Sequence, residues 1–521
     1  MLQIQDLTIT HRKDGRVLLK DFSFSLNPGD RAVLIGEEGD GKSTLLKLIY
    51  DESLVSGYVE YTGKILKTGL RLSYLAQELP KSESRKSVFG FCSESPPFSF
   101  LSETEISGYA GELGVSPGLF YSDQPVGTLS GGEKVKLQLF RIFLEHPDVL
   151  LLDEPSNDLD IETLEWLESF LVSCGLPVLF VSHDETLIER TANVVVHLEQ
   201  VRRKTVPRWT VARMPYRQYV RERLENFEHQ GQVAREEKRH REKQQEKFRR
   251  IESAVDRAQA SVPRSDPHGG QLLKKKMKAV KSMGRRMERE SEKSVRVPEE
   301  EEAVRIRFAD GITMPNGKTV LDFSLERLSA GGRVLARDVR LKITGPEKIC
   351  IIGRNGTGKT TLLRQIAREL LGRKDIRTAY MPQDYGELLG GGETPVDFLS
   401  SEGGKAEETR IRTFLGSMNY TAAEMEHPVS GLSGGQKAKL LFLKMIFGRF
   451  NVLVLDEPTR NLSPLSGPVI RKALSSFGGA LLSVSHDRKY ISEVCGRVLR
   501  LTEKGLVPAD SSGWKSDGRI S

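Results

Sequence analysis

The sequence predicts an α/β protein with two phosphate-loop domains joined by a long, basic α-helical hairpin. Three observations carry this expectation. The pattern G-x-x-x-x-G-K-[ST] occurs twice, at Gly36 to Ser43 and at Gly353 to Thr360, each time after a short apolar run and before a helix-forming one. Later motifs recur in a constant register: Ser130 and Ser433, Asp153 and Asp456, and His183 and His486 are each 303 residues apart. Between the two sets lies a highly charged stretch, Tyr216 to Arg296. So tight a register means an internal duplication.

The bulk properties bound the rest. A chain of 521 residues suggests three or four domain-sized units. The expected division is 1–215, a linker at 216–300, 301–508, and a polar, disordered tail at 509–521. Cys92, Cys174, Cys350 and Cys495 lie far apart without CxxC pairing, so no zinc or iron–sulfur site is readable and a reducing compartment is expected. The start, MLQIQDLTIT, lacks the basic and apolar regions of a secretory signal. Runs such as DVLLLDEP and LPVLFVS are far shorter than the roughly 20 residues of a membrane helix, and suit buried parallel strands. The expectation is a cytoplasmic protein whose net charge of +7 points to an acidic partner.

In chain order, the buried strand RAVLIG runs into the first phosphate loop. Gly36, Gly39 and Gly41 let backbone N–H groups wrap phosphates, and Lys42, Ser43 and Thr44 open the following helix with its positive end toward them. Lys42 reaches the outer phosphates and the Ser43 hydroxyl suits Mg²⁺. Glu37, Glu38 and Asp40 put unusual negative charge in this loop; they must point away or weaken ATP binding. Gln77 follows the strand LSYLAQ, LSGGE spans Leu129 to Glu133, VLLLDEP ends in Asp153 and Glu154, and VLFVSHD carries His183. The second copy repeats this with Gly353, Gly356, Gly358, Lys359, Thr360 and Thr361, then Gln383, LSGGQ, Asp456 and Glu457, and His486.

The linker reads as an αα-hairpin. Pro263, Pro267, Gly269 and Gly270 break two helical runs that would extend roughly 60 Å and roughly 40 Å. Leu273, Met277, Val280 and Met287 make one apolar stripe, and Phe248, Ile251, Val255 and Ala258 a matching one. From Arg221 to Glu300 there are 22 Lys and Arg against 15 Asp and Glu, so this segment carries the whole chain's excess. Such a face is either a solvated, ion-paired surface or a phosphate-binding one, since counterion release rewards clustered Lys and Arg.

The phosphate loop, LSGGE or LSGGQ, DEP and SHD, in this order, resemble the ATP-binding cassette superfamily. Two cassettes in one chain, without membrane spans and joined by a charged helical hairpin, resemble the ABC-F family of ribosome-associated ATPases. The resemblance implies ATP and Mg²⁺ as ligands and two composite sites made head to tail. One joins Lys42 and Ser43 to Ser433, Gly434 and Gly435; the other joins Lys359 and Thr360 to Ser130, Gly131 and Gly132. It implies Mg²⁺ held by Ser43 with Asp153 and by Thr360 with Asp456, sensed by Gln77 and Gln383. Glu154 and Glu457 polarise the attacking water, and His183 and His486 contact the γ-phosphate. The loops after DEP, SNDLD and TRNLS, depart from the family's TNHLD-like pattern at Asp158, Arg460, Asn461 and Ser463, which leaves open whether both sites hydrolyse equally. No clear aromatic stands at the adenine-stacking place, near His11 and Ala330.

The resemblance implies a monomer, with intramolecular cassette pairing, that binds ribosomal and transfer RNA through residues 216–300, with no membrane or DNA partner. Antibiotic resistance by ribosome protection is the expected role, with a general translation factor as the alternative inside the family. A tandem ATPase subunit of a transporter is the alternative outside it, and would leave the basic hairpin without a task. A DNA-repair ATPase would be expected to carry zinc cysteines or much longer coiled coils.

Overall fold

The computed structural model describes residues 1–260, 274–282, 284–285, 308, 311–401 and 403–509. The chain divides into two compact units, Met1–Arg217 with Glu301–Ser521, and Gln218–Glu300. The expected tail and the expected break from Pro263 to Gln271 lie outside the described residues.

The first unit holds two copies of one layered α/β build. In the first copy the sheet order is Leu72–Leu75, Val149–Asp153, Val178–Val181, Arg31–Ile35, Val194–Gln200, Val206–Ala212. In the second it is Thr378–Met381, Val452–Asp456, Ala480–Val484, Lys348–Ile352, Arg497–Thr502, Gly505–Pro508. The first five strands of each are parallel and the last is antiparallel. Parallel strands covered on both faces need continuous apolar runs, and Val149–Asp153 and Val452–Asp456 are buried throughout. Each phosphate loop leaves the carboxyl end of a central strand, Arg31–Ile35 or Lys348–Ile352, where such sheets place their ligands.

Antiparallel strands form a second layer: Val17–Leu26, Leu2–His11 and Val59–Leu66 in the first copy, Thr319–Ala330 and Arg333–Thr344 in the second. The helix Lys42–Tyr50 fills the space between layers, packing Leu45, Leu46 and Ile49 into the core with Ile4 and Phe22. Between Gln77 and Ser130 the chain folds into a small helical layer with its own core. Phe91, Phe98, Phe120 and Phe140 are buried there, the last two with ring centroids 4.4 Å apart.

The second unit is dominated by one helix, Tyr216–Ala260, of 45 residues. Helical backbone resumes at 274–282 and 284–285. Val280 is buried, and Gly284 leaves room for the ring of Phe248, which a Cβ there would approach to 3.0 Å. Ile251 departs from the expected stripe: it is 44% exposed, turned away from the face that Phe248 uses. Leu273 and Met287 lie outside the described residues. Among the described residues no helix is long and apolar enough to cross a membrane.

The two copies meet through charge. The helices Ile161–Ser173 and Glu185–Thr191 supply Glu168, Glu185 and Glu189; Gly467–Ser476 and Arg488–Val494 supply Arg471, Arg488 and Lys489. Arg488 pairs with Glu168, Arg471 with Glu185 at 2.9 Å, and Lys489 with Glu185 at 2.7 Å and with Glu189. Arg471 and Arg488 are each only 3% exposed. Glu168 and Arg471 occupy equivalent positions of the repeat, as do Glu185 and Arg488, each pair 303 residues apart, so the sign is reversed between copies. Removing one member of a buried pair strands the other, at a cost of about 3–5 kcal/mol, whereas replacing both by apolar groups is close to neutral. Arg488→Met leaves buried Glu168 only Arg190, at 2.8 Å, so stability falls by about 3 kcal/mol in urea unfolding, and adding Glu168→Met recovers part of the loss.

Candidate functional site

Each phosphate loop enters its helix through a glycine in the left-handed region, Gly41 at φ 90° and Gly358 at φ 92°. A Cβ at Gly358 would also sit 2.7 Å from Leu335, so backbone angle and space both demand glycine. Lys42 Nζ donates to the carbonyls of Gly36 and Glu37, both at 2.8 Å. Lys359 Nζ does the same to Gly353 at 2.7 Å and Arg354 at 2.9 Å. Each ammonium is thus folded back over the hollow of its own loop.

The residues expected to hold Mg²⁺ come together, but differently in the two copies. Ser43 Oγ donates to Asp153 Oδ1 at 2.8 Å, and Tyr74 OH donates to Asp153 Oδ2 at 2.9 Å. Both buried carboxylate oxygens of Asp456, in contrast, lack a hydrogen bond of ordinary geometry, with Thr360 the nearest donor. Burial lifts Asp456 to about 6, against the pull of neighbouring Thr360, Arg364 and Lys359. A buried carboxylate left so is costly without a cation, so Asp456 with Thr360 fits a Mg²⁺ ion.

Glu154 and Glu457 stand one residue past their strands at φ 51° and φ 50°, strained values for a non-glycine residue. That backbone turn lets each backbone N–H bond the next strand, at Val181 and Val484. His183 Nε2 lies 3.0 Å from Glu154 Oε1, whereas His486 Nε2 is 3.8 Å from Glu457 Oε1. Burial pushes Glu154 up, but His183 and Lys42 outweigh it and hold the carboxyl below its ordinary value. Burial and the adjacent Asp456 raise Glu457 instead. Burial, with Lys359 nearby, drops His486 to about 3, so that imidazole is neutral.

The LSGGE and LSGGQ signatures are helix starts of the capping-box type. Ser130 Oγ accepts from the Glu133 N–H, and Ser433 Oγ from the Gln436 N–H, both at 3.3 Å. Each signature faces the phosphate loop of the other copy. Gly435 N donates to Glu38 Oε2 at 2.6 Å, and Lys439 pairs with Glu37. On the other side Asn355 donates to the Asp158 carbonyl, and Arg354 pairs with Glu162 at 3.0 Å. Arg460 reaches across to Asp158 at 3.2 Å, so the departures after DEP form a cross-copy contact of their own.

Two cavities mark the sites. One of about 710 Å³ is lined by Lys359, Thr360, Thr361, Gln383, Glu457 and His486, together with Gly131, Gln77 and His183 from the first copy. Gly132 is covered by Thr163, and Ser130 is exposed. The other cavity, about 320 Å³, is lined by Gly39, Gly41, Lys42, Ser43, Thr44 and Glu154, with Gln77 and His183 again. Glu38 and Asn461 also line it, and both lie against Gly434 and Gly435.

Sequence reasoning missed several residues here. Tyr58 joins His11 at the smaller cavity, with ring centroids 6.4 Å apart, and Tyr74 secures Asp153. Tyr58 stands in the turn before the strand Val59–Leu66 and Tyr74 in the strand Leu72–Leu75, and neither position gives a sign in the sequence of what the ring faces. Of the two alternatives for the acidic loop residues, that they point away or that they weaken ATP binding, the first does not hold for Glu37 and Glu38. Glu37 and Glu38 reach the opposite signature helix, drawn by Lys439 and by the helix's amino end.

Asp40 does turn inward, accepting from the Glu37 N–H at 2.7 Å, and is 4% exposed. Burial raises it to about 7, with Lys42 opposing and Glu37 adding. A carboxyl raised in the folded state contributes stability below its ordinary range and loses it as pH climbs through the raised value. Asp40→Asn therefore leaves the unfolding midpoint nearly unchanged at about pH 4 and raises stability at about pH 8, by up to roughly 4 kcal/mol. Unfolding of the nucleotide-free protein at both pH values checks this.

The family model described as ABC transporter matches residues 19–157 and 336–460. The chain is 26% identical to ABC transporter F family member 5 of Arabidopsis thaliana, across 94% of this chain and 73% of that protein. It is 28% identical to the ribosome protection protein VmlR of Bacillus subtilis, across 97% of this chain and 88% of that one. ATP-binding cassette sub-family F member 3 of Rattus norvegicus is 28% identical, across 96% of this chain and 71% of its own length. Among solved structures, an RNase-L inhibitor shares the fold with a TM-score of 0.58 at 15% identity, covering 96% of this chain and 89% of that one. An archaeal ribosome recycling factor in complex with a stalk protein aligns over the same shares, with a TM-score of 0.58 at 17% identity. With the family model matched in both copies and F-family relatives along nearly its whole length, the chain belongs to the ATP-binding cassette family as a tandem ATPase of ABC-F type.

Proposed function

We propose that this ATPase acts on the ribosome, closing its two cassettes on ATP and engaging RNA through the basic linker at 216–300, as a ribosome protection factor. The observation that carries the reading is that each phosphate loop faces the other cassette within one chain: Glu38 meets the signature amide of Gly435, and Gly131 of the first signature lines one cavity with Gly358 and Lys359. ATP bound at such a site bridges both halves, so binding energy becomes closure.

Phosphoryl transfer to water is mostly positioning and charge neutralisation. Lys42 and Lys359 turn from their loop carbonyls to the outer phosphates, and the signature N–H groups receive the γ-phosphate. Among the described residues no group of three or more His, Cys, Asp or Glu side chains could hold a metal alone. Mg²⁺ would be shared between phosphate oxygens and Ser43 with Asp153, or Thr360 with Asp456, with Gln77 and Gln383 at the rim; it supplies neutralisation of the phosphate charge. Glu154 and Glu457 orient the attacking water, and His183 and His486 steady the γ-phosphate.

The linker supplies the ribosome contact. Lys274, Lys275, Lys276, Lys278, Lys281 and Arg285 are all exposed, a density that suits RNA phosphates rather than a protein groove. VmlR's name as a ribosome protection protein supports that role in particular. The packed helical layer between Gln77 and Ser130, in place of a projecting arm, fits the same reading.

Glu154→Gln with Glu457→Gln retains ATP binding and lowers steady-state hydrolysis at least roughly hundredfold. With ATP this variant co-sediments with ribosomes, and release steepens with salt as phosphate contacts require. Association with membranes instead of ribosomes would sink the reading. Expression in a sensitive bacterium separates the roles within it. Raised inhibitory concentrations for drugs of the peptidyl-transferase centre mark protection, and unchanged ones mark a general translation factor.

A further inference from the structure

We propose that Glu38 gates the first composite site, holding the signature amide of Gly435 that nucleotide must take over, so that this site binds ATP more weakly than the second. The inference rests on the reading above, in which signature amides serve the opposite phosphate loop.

The two loops are the same device with opposite charge. Glu37, Glu38 and Asp40 in the first stand where Arg354, Asn355 and Thr357 stand in the second. The first loop therefore sends a carboxylate to the signature helix, and the second sends none. Glu38 Oε2 sits 2.6 Å from Gly435 N, and it would lie 3.3 Å from a Cβ on Gly434. A carboxylate oxygen at a helix's amino end is the chemical likeness of a phosphate oxygen there. ATP can enter only by displacing it, and then meets its charge at close range. Lys439, on the same helix, is already paired with Glu37.

Independent features agree. Asp153 is held by Ser43 at 2.8 Å and by Tyr74 at 2.9 Å, whereas Asp456 has only a looser approach from Thr360. His183 already lies 3.0 Å from Glu154, while His486 stands off Glu457 at 3.8 Å.

The test uses the full chain carrying Glu154→Gln and Glu457→Gln, with Mg-ATP binding measured by equilibrium dialysis and calorimetry. We expect one equivalent to bind tightly and a second at least about tenfold more weakly. Glu38→Asn, which copies Asn355, brings the second equivalent within about threefold of the first. Asn355→Glu, the reverse change, weakens the tight site. In a Glu457→Gln background, where only the first site can turn over, Glu38→Asn raises residual hydrolysis. Two equal equivalents in the parent, or a second equivalent that Glu38→Asn leaves unmoved in a chain with an unchanged unfolding midpoint, overturns the gate while sparing the ATPase reading. No binding at either site overturns both.

Discussion

The buried charge contact between the cassettes is the constraint on which the rest of the structure depends. Each cassette has its own apolar core between its sheets and helices, and Ile161 of the first packs against the core of the second. The halves face each other because Arg471, Arg488 and Lys489 find Glu168, Glu185 and Glu189 with little water between them. Without that apposition, Lys42 and Lys359 would look out on solvent, and the signature helices would offer their amino ends to nothing. Apolar burial makes the two halves; directional, desolvated ion pairs set which face of one meets which face of the other.

Within this frame, one template has been pulled in two directions. The glycine turns into the phosphate-loop helices, the strained glutamates at φ 51° and φ 50°, and the capped signature helices match closely between copies. The side chains around them do not. Glu154 sits below its ordinary range beside His183, and Glu457 is raised by burial beside Asp456. A backbone kept while its electrostatics diverge is what a duplicated motor needs if its strokes are to differ.

Much of this was legible in the sequence because the informative motifs are local. A phosphate loop is eight consecutive residues, and a strand such as VLLLD announces its burial by being apolar throughout. The capping boxes of Ser130 and Ser433 are readable as S-x-x-E and S-x-x-Q. What stayed hidden depends on partners hundreds of residues away. Nothing in GEEGDGKS says that Glu38 meets Gly435, since the loop's own geometry would allow it to face solvent. Tyr58, in a turn, and Tyr74, in a strand, look ordinary until the fold sets them beside His11 and Asp153. Ile251 shows the converse error: its spacing fits the stripe, yet it is exposed between the half-buried Phe248 and Val255.

The reversed signs at positions 168 and 471, and at 185 and 488, reach beyond stability. Two first cassettes stacked this way would press glutamate on glutamate, and two second cassettes arginine on arginine. Through this face only a first copy and a second copy can pair, never like upon like. The duplication has become obligatory: a chain stripped of either copy keeps a face that only the missing copy can answer.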